Sequence, residues 1–167
     1  SLVSLSAIHL AFILVISIYS LYGLVDDLVD VGRILKLTLP VVFAYPLVSV
    51  VDPSHVWVPL LGELNLQSQI YLEVTISDIF RITVIPVYIM VVSNLVNMHS
   101  GFNGLQSGLS LIVLCTLTLK SIISNEVEDI FPIFSILGAL SAFYLFNRFP
   151  SRAFEGNIGA LFFGSSI

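Results

Sequence analysis

The chain has 167 residues, of which 57% are hydrophobic and 10% are charged, and its formal net charge at pH 7 is -5. A soluble domain carries about 25% charged residues, so this composition excludes an ordinary water-soluble domain. The sequence has no basic tract suited to nucleic acid, and its one cysteine, Cys115, excludes a disulfide framework.

Apolar runs of the length that a bilayer crossing needs, roughly 17 to 25 residues, follow one another along the chain. We predict spans over about 2–25, 37–51, 76–98, 105–124 and 130–146, and a truncated sixth span from about 158. Alternation over 55–59 and 64–67 favours a small β-hairpin in the loop 52–69. The predicted fold class is therefore all-α, a polytopic transmembrane helical bundle with about five complete spans.

The two ends of the chain give an expectation about its domain organisation. The sequence starts at Ser1 without an initiator methionine and stops at Ile167 inside an apolar run, and its first span lacks the features of a signal peptide. We expect a single membrane domain over residues 1–167, an internal fragment of a larger multi-span protein.

The charges indicate the orientation in the membrane. The connections after the first, third and fifth spans share one side, and they hold four of the six basic residues: Arg33, Lys36, Arg148 and Arg152. An excess of Lys and Arg near span ends marks the cytoplasmic face. These connections are therefore predicted to be cytoplasmic.

The same three connections hold the most polar sequences of the chain. The first contains Asp26, Asp27 and Asp30, the second runs over 94–108, and the third over 147–159. Adjacent carboxylates near a membrane stay ionised only beside a cation, and carboxylate and amide oxygens suit Mg2+. Basic side chains on the same face suit a phosphate-bearing ligand. The residues alone therefore indicate a membrane-embedded phosphotransferase.

These polar segments carry a family resemblance. The pair Asp26-Asp27 with Lys36, the segment NMHSGFNGLQSG (97–108) and the segment NRFPSRAFEGNIG (147–159) occur in order. They resemble three motifs of the polyprenyl-phosphate N-acetylhexosamine-1-phosphate transferase family, closest to its eukaryotic and archaeal dolichyl-phosphate GlcNAc-1-phosphotransferase branch. Bacterial members tend to carry Asp-Gly-x-Asp-Gly-Leu where this chain has residues 100–105, and Pro-Ser-Arg at 150–152 also favours that branch.

The resemblance implies a reaction at the cytoplasmic face of a multi-pass membrane protein. A polyprenyl phosphate of the dolichyl type attacks UDP-GlcNAc, giving GlcNAc-diphospho-lipid and UMP, an early product of lipid-linked oligosaccharide assembly for N-glycosylation. The membrane would be the endoplasmic reticulum in a eukaryote and the plasma membrane in an archaeon. Mg2+, with Mn2+ as a substitute, is the expected cofactor, and a homodimer is a further expectation.

The resemblance also implies roles for individual residues. Asp26, Asp27 and Lys36 take the catalytic positions, with Lys36 at the phosphates, and Asn97 and Asn157 take the metal-ligand positions. The substrate-binding positions fall on Asn103, Gly104, Arg152 and Phe154, of which Asn103 would hydrogen-bond the uracil and Phe154 would stack on it.

One position departs from the family pattern. The family usually has Gly-Asp where this chain has Gly156-Asn157, which removes one negative charge from the site. Three interpretations stay open: a weaker metal affinity, a compensating carboxylate such as Glu155 or Asp30, or an inactive homologue.

Other interpretations of the same residues stay open too. The acidic pair is also typical of a solvated helix end, Asn97 of an interhelical hydrogen bond, Arg152 of a positive-inside anchor, and Phe154 of core packing. A transporter or scaffold would place its polar residues nearer the bilayer midplane. Within the enzyme class, the alternatives are a different UDP-sugar or lipid carrier, or a non-catalytic membrane homologue.

Overall fold

The computed structural model describes residues 6–29, 31–58, 62–71, 74–125 and 127–167. These residues form two compact units: one contains the described residues up to 15 and those within 33–90, and the other contains those within 16–32 and 91–167. The first helix, α1 (Ala7–Val29), begins in the first unit and ends in the second. Of the residues named above, Ser1 and Asp30 lie outside the described ranges, as does the start of the predicted first span.

The first unit contains two short helices and two hairpins. Helices α2 (Arg33–Phe43) and α3 (Tyr45–Val48) precede the antiparallel strands β1 (His55–Val58) and β2 (Gly62–Asn65). This hairpin confirms the prediction for loop 52–69. A second antiparallel pair, β3 (Gln69–Tyr71) and β4 (Val74–Thr75), was not predicted because its strands are only three and two residues long.

The predicted second span is broken in the structure. Its helix starts at Arg33, earlier than expected, and is interrupted at Ala44, so Lys36 lies on α2 and not in a polar connection. The cause is Pro46, which lacks a backbone N–H and whose ring clashes with the carbonyl four residues earlier. Pro46 is tolerated in the first turn of α3, where that N–H would have no partner.

The predicted third span is one continuous helical segment. It consists of α4 (Ile76–Ile79), a π-helical turn (Phe80–Val84) and α5 (Ile85–His99). Thr75 begins it with a capping box, because its hydroxyl accepts the Asp78 N–H and the Asp78 carboxylate accepts the Thr75 N–H. The reciprocal pair satisfies two N–H groups that have no intrahelical partner.

The second unit combines the ends of α1 and α5 with three further helices. These are α6 (Leu105–Ile123), α7 (Val127–Asn147) and α8 (Gly156–Ser166). Helices α6 and α7 pack against each other, as a short connection between antiparallel helices favours. The apolar core of the unit includes Tyr19, Leu114, Leu140 and Leu161.

Helix α6 has its polar residues inside and its apolar residues outside. It buries a stripe of small or polar side chains and exposes large aliphatic ones; the buried residues include Gln106, Ser107, Ser110, Thr118 and Ser121, and the exposed ones include Ile112, Leu119, Ile122 and Ile123. In water this arrangement would expose the apolar face that drives folding. In lipid it is favourable, because small and polar residues mediate contacts between helices.

Three helical segments of the described residues are long and apolar enough to cross a membrane: Ala7–Val29, Ile76–His99 and Leu105–Ile123. The described apolar part of α7, Pro132–Asn147, is shorter. The polytopic helical membrane fold is thereby confirmed. The number of five complete crossings and the single domain stay predictions.

Two glycines allow α8 to approach its neighbours closely. A Cβ on Gly23 of α1 would lie 2.5 Å from the backbone oxygen of Asn157 and 2.7 Å from the Ile158 Cα. A Cβ on Gly164 would lie 2.7 Å from the Ser93 Cα on α5. Both contacts are with backbone atoms, so only glycine permits these crossings.

We expect Gly23→Ala to lower the free energy of unfolding by about 1–3 kcal/mol, because the new methyl group must displace the start of α8. Gly138→Ala on α7 is the matched control, since a Cβ there meets no atom within 4 Å. Thermal unfolding of the full-length protein in detergent measures both. Equal unfolding midpoints for the two variants would contradict the close crossing.

Candidate functional site

The first carboxylate of the acidic pair is buried at the end of α1. Asp26 is 5% exposed, and its Oδ1 accepts the Val31 N–H at 2.9 Å. Its Oδ2 accepts a hydrogen bond from the Asn157 side-chain Nδ2 at 2.8 Å. A buried carboxylate is costly without such donors, so these bonds hold Asp26 in the interior of the unit.

The second carboxylate binds the start of α8. Asp27 accepts the backbone N–H of Asn157 on Oδ1 at 3.1 Å and that of Ile158 on Oδ2 at 3.3 Å. The first N–H groups of a helix have no partner within it, and a negative charge there is favourable. Glu155, the residue before α8, forms no side-chain cap, so Asp27 caps the helix from α1.

Gly156 makes this contact sterically possible. Its φ is +61°, in the left-handed region, and a Cβ on it would lie 2.8 Å from the Asp27 Oδ2. Glycine adopts this conformation without strain and leaves room for the carboxylate. The structure therefore brings Asn157 into contact with Asp26 and Asp27, which precede it by 131 and 130 positions in the sequence.

The oxygen atoms of this region are of the kind that Mg2+ prefers. Asn97, near the end of α5, has a buried Oδ1 without a hydrogen-bond partner, an acceptor that a cation would satisfy. The part of the chain that the structure describes contains no cluster of three His, Cys, Asp or Glu side chains able to hold a metal ion. Asn97 and Asn157 offer side-chain amide oxygens, and their role as magnesium ligands stays a prediction.

A second group of contacts joins the α5–α6 connection to the end of α7. Asn147, 3% exposed, accepts the Gly104 N–H at 3.1 Å and the Ser107 hydroxyl at 2.7 Å on the same Oδ1. Its Nδ2 donates to the Ala153 carbonyl at 3.0 Å. Asn103, which precedes Gly104, is exposed.

The segment after α7 presents aromatic and basic side chains at the surface. The backbone N–H groups of Arg152 and Ala153 both donate to the Phe146 carbonyl, which closes this segment into a loop. The Phe154 side chain is 72% exposed and therefore available to a ligand. Arg148 and Arg152 line a pocket of about 270 Å³ together with Leu145, Phe149 and Pro150.

Two further predicted site residues, Lys36 and Asn97, belong to different units. Lys36 is half-buried on α2 in the first unit, and its role stays a prediction. Asn97 belongs to the second unit, but no hydrogen bond that we describe connects it to the acidic pair.

Glu155 is a buried carboxylic acid beside the site. It is 9% exposed, and its buried Oε2 has no hydrogen-bond partner among the described residues. Burial raises the pKa of Glu155 from 4.5 to about 7. Of the two compensating carboxylates considered from sequence, this is the one that the structure describes.

The sequence did not reveal the contacts that Asn147 and Gly23 make. Asn147 was visible only as the first residue of a polar segment. A glycine inside an apolar span, three positions before the acidic pair, was the available signal for Gly23, because small residues mark close helix contacts in membranes.

The fold and these contacts define an integral membrane protein of the helical, polytopic class, with a polar site where its helices end. The chain matches the sequence pattern of glycosyl transferase family 4 over residues 9–167 and belongs to this family.

Three relatives illustrate the range of the similarity. A Sulfolobus acidocaldarius protein, provisionally named a UDP-N-acetylglucosamine–dolichyl-phosphate N-acetylglucosaminephosphotransferase, is 31% identical over 87% of this chain and 42% of its own length. A Saccharolobus solfataricus protein of the same provisional name is also 31% identical, over 87% and 43%. A Lactobacillus acidophilus phospho-N-acetylmuramoyl-pentapeptide-transferase is 27% identical over 93% and 49%. The chain thus spans less than half the length of these relatives.

We expect the thermal unfolding midpoint of the full-length protein to fall as the pH rises from about 4.5 to about 7 in metal-free buffer. In this range the folded protein keeps a proton on Glu155 that the unfolded chain releases, so the stability contributed by this group is lost as the pH rises through its folded pKa. Glu155→Gln should flatten this part of the profile. The same slope in the wild type and in Glu155→Gln would show that another group titrates.

Proposed function

We propose that the full-length protein transfers GlcNAc-1-phosphate from UDP-GlcNAc to a polyprenyl phosphate of the dolichyl type at the cytoplasmic membrane face. The observation that carries the proposal is the junction at which Asp26 and Asp27 of α1 bind Asn157 of α8. This junction joins the first and third polar segments of the sequence. The similarity to the two archaeal proteins supports the choice of donor and acceptor.

The reaction exchanges one phosphorus–oxygen bond for another. An oxygen of the lipid phosphate bonds to the β-phosphorus of UDP-GlcNAc, and the bond from this phosphorus to the bridging oxygen breaks, so UMP leaves. A phosphate monoester with a second pKa near 6 is mostly ionised at neutral pH. Orientation and charge neutralisation therefore matter more than removal of a proton.

The chain offers groups for orienting the substrates and for neutralising their charge. Asp26 and Asp27 fix the positions of α1 and α8 relative to each other. Lys36 and Arg152 are the cations proposed to bind the phosphates, and Arg152 lines a pocket with a second guanidinium, that of Arg148. Two guanidinium groups suit a phosphate, because each presents a planar fork of donors.

Uridine recognition is assigned to the α5–α6 connection and the loop after α7. Asn103 would hydrogen-bond the uracil, Gly104 would let the backbone approach it, and Phe154 would stack on it. The 72% exposure of Phe154 supports this assignment, because an aromatic ring that the described residues leave uncovered is available to a planar ligand.

Mg2+, held by Asn97 and Asn157, would neutralise charge on the diphosphate when bound. The unsatisfied Asn97 Oδ1 supports this choice of ligand. The hydrogen bond from Asn157 to Asp26 uses the side-chain nitrogen, Nδ2, and leaves the side-chain oxygen of Asn157 for the cation.

The test is UMP release by the purified full-length protein from UDP-GlcNAc and dolichyl phosphate, with and without Mg2+. We expect release that requires both lipid and metal. Binding of UDP-GlcNAc without release would favour another acceptor or a non-catalytic homologue. The bacterial relative is named for the transfer of phospho-N-acetylmuramoyl-pentapeptide. A UDP-sugar that carries this group is therefore the competing donor, and faster release from it would overturn the choice of sugar.

Asp27→Asn should reduce transfer below detection. The amide presents an NH2 group to one of the two backbone N–H donors of α8, which displaces the start of that helix. Glu63→Gln is the control, because Glu63 is an exposed carboxylate on β2, paired with His55. Turnover at the wild-type rate in Asp27→Asn would contradict a role for this carboxylate.

Asn157→Asp should tighten Mg2+ binding by about tenfold or more, since affinity for a hard cation rises with the number of charged ligands. Without metal the same change places a carboxylate beside Asp26, where the amide now donates, and should lower the unfolding midpoint. Calorimetric titration with Mg2+ measures the affinity, with Asn125→Asp as a chemically matched control. An unchanged affinity would move the metal ligand to another residue.

A further inference from the structure

The side chain of Asn147 uses both ends of its amide at the junction of two loops. The oxygen accepts from Gly104 and Ser107, at the start of α6, and the nitrogen donates to Ala153, in the loop after α7. Asn147 is the last residue of α7 and is 3% exposed. The bond to Ser107 is buried and those to Gly104 and Ala153 are partly buried. A hydrogen bond with little access to water is stronger, and its loss is more costly.

The bonded backbone groups are the chain neighbours of the two proposed uracil contacts. Gly104 follows Asn103, and Ala153 precedes Phe154. Gly104 has φ +74°, and a Cβ on it would lie 3.0 Å from the Arg148 Cα, so the α5–α6 connection lies directly against the end of α7. One amide thus fixes the backbone beside both residues.

We propose that Asn147 is a positioning residue that sets uridine specificity by holding Asn103 and Phe154 at a fixed separation. The inference rests on the proposed function, in which these two residues contact the uracil. A base fits between a hydrogen-bonding group and a stacking ring only at one spacing, and a preformed spacing avoids the cost of ordering the loops on binding.

The chemistry of the amide explains why asparagine occupies this position. Gly104 and Ser107 present donors, and Ala153 presents an acceptor. Aspartate has no hydrogen to give to the Ala153 carbonyl, and alanine satisfies none of the three groups. Either substitution leaves a buried polar group unsatisfied and releases one loop from the other.

The test compares Asn147→Asp and Asn147→Ala with the wild-type full-length protein. Calorimetry gives the affinities for UDP and ADP in Mg2+, and steady-state kinetics gives KM for UDP-GlcNAc and for dolichyl phosphate. We expect UDP affinity and the UDP-to-ADP preference to fall by about tenfold or more. The KM for dolichyl phosphate should stay at its wild-type value.

Ser141→Ala is the matched control. Ser141 also lies on α7, and its hydroxyl donates to the Leu137 carbonyl within the same helix. It joins no second loop, so its variant should retain the UDP-to-ADP preference. If the Asn147 variants do not fold, Ser107→Ala replaces them in the test. It removes one of the three hydrogen bonds and should also lower the preference for UDP over ADP.

The outcomes separate this inference from the proposed function. A wild-type protein that binds UDP no better than ADP overturns both. A wild type that prefers UDP, with Asn147 variants that lose thermal stability but keep the preference, overturns the positioning role alone. Asn147 would then stabilise the fold without determining the preference for UDP over ADP.

Discussion

The carboxylates at the end of α1 and the first N–H groups of α8 form the interaction on which the polar end of the second unit depends. Asp27 caps α8 with both oxygens, and Asp26 accepts the Asn157 side chain. A helix start in a poorly hydrated region needs such partners, because its N–H groups cannot be satisfied within the helix. The close crossing at Gly23 allows the two backbones to come within reach of these bonds.

The membrane imposes the arrangement of the remaining surfaces. Large aliphatic residues on α6 face outward, while its serines and Gln106 are buried. Lipid gives no hydrophobic force that would turn the aliphatic residues inward, so helix contacts rely on close packing and on polar groups. The polar loops then lie at the helix ends, outside the apolar spans, and the buried Asp26 there is stabilised by its hydrogen bonds.

The sequence alone was sufficient to predict the apolar helices, the first hairpin and the three polar segments, because each follows from a local pattern of hydropathy or turn residues. It missed the break at Ala44, although Pro46 was visible, since proline is often tolerated within membrane helices. It predicted Asp26, Asp27 and Asn157 as site residues through family resemblance, and the structure places them in contact. The bonds among them, and the three made by Asn147, depend on tertiary packing that no local pattern encodes.

The loop between α7 and α8 links the two halves of the site. At one end, Asn147 ties it to the start of α6, and at the other, Asn157 ties it to the end of α1. The residues between include Phe154, the exposed ring, and Glu155, the buried acid. A shift of Asn147 or of Asn157 must displace the whole loop, because only nine residues lie between these two asparagines. In the proposed transferase, the nucleotide and the metal would therefore be positioned by one segment of chain, so that correct seating of the base also brings Asn157 into place beside the acidic pair.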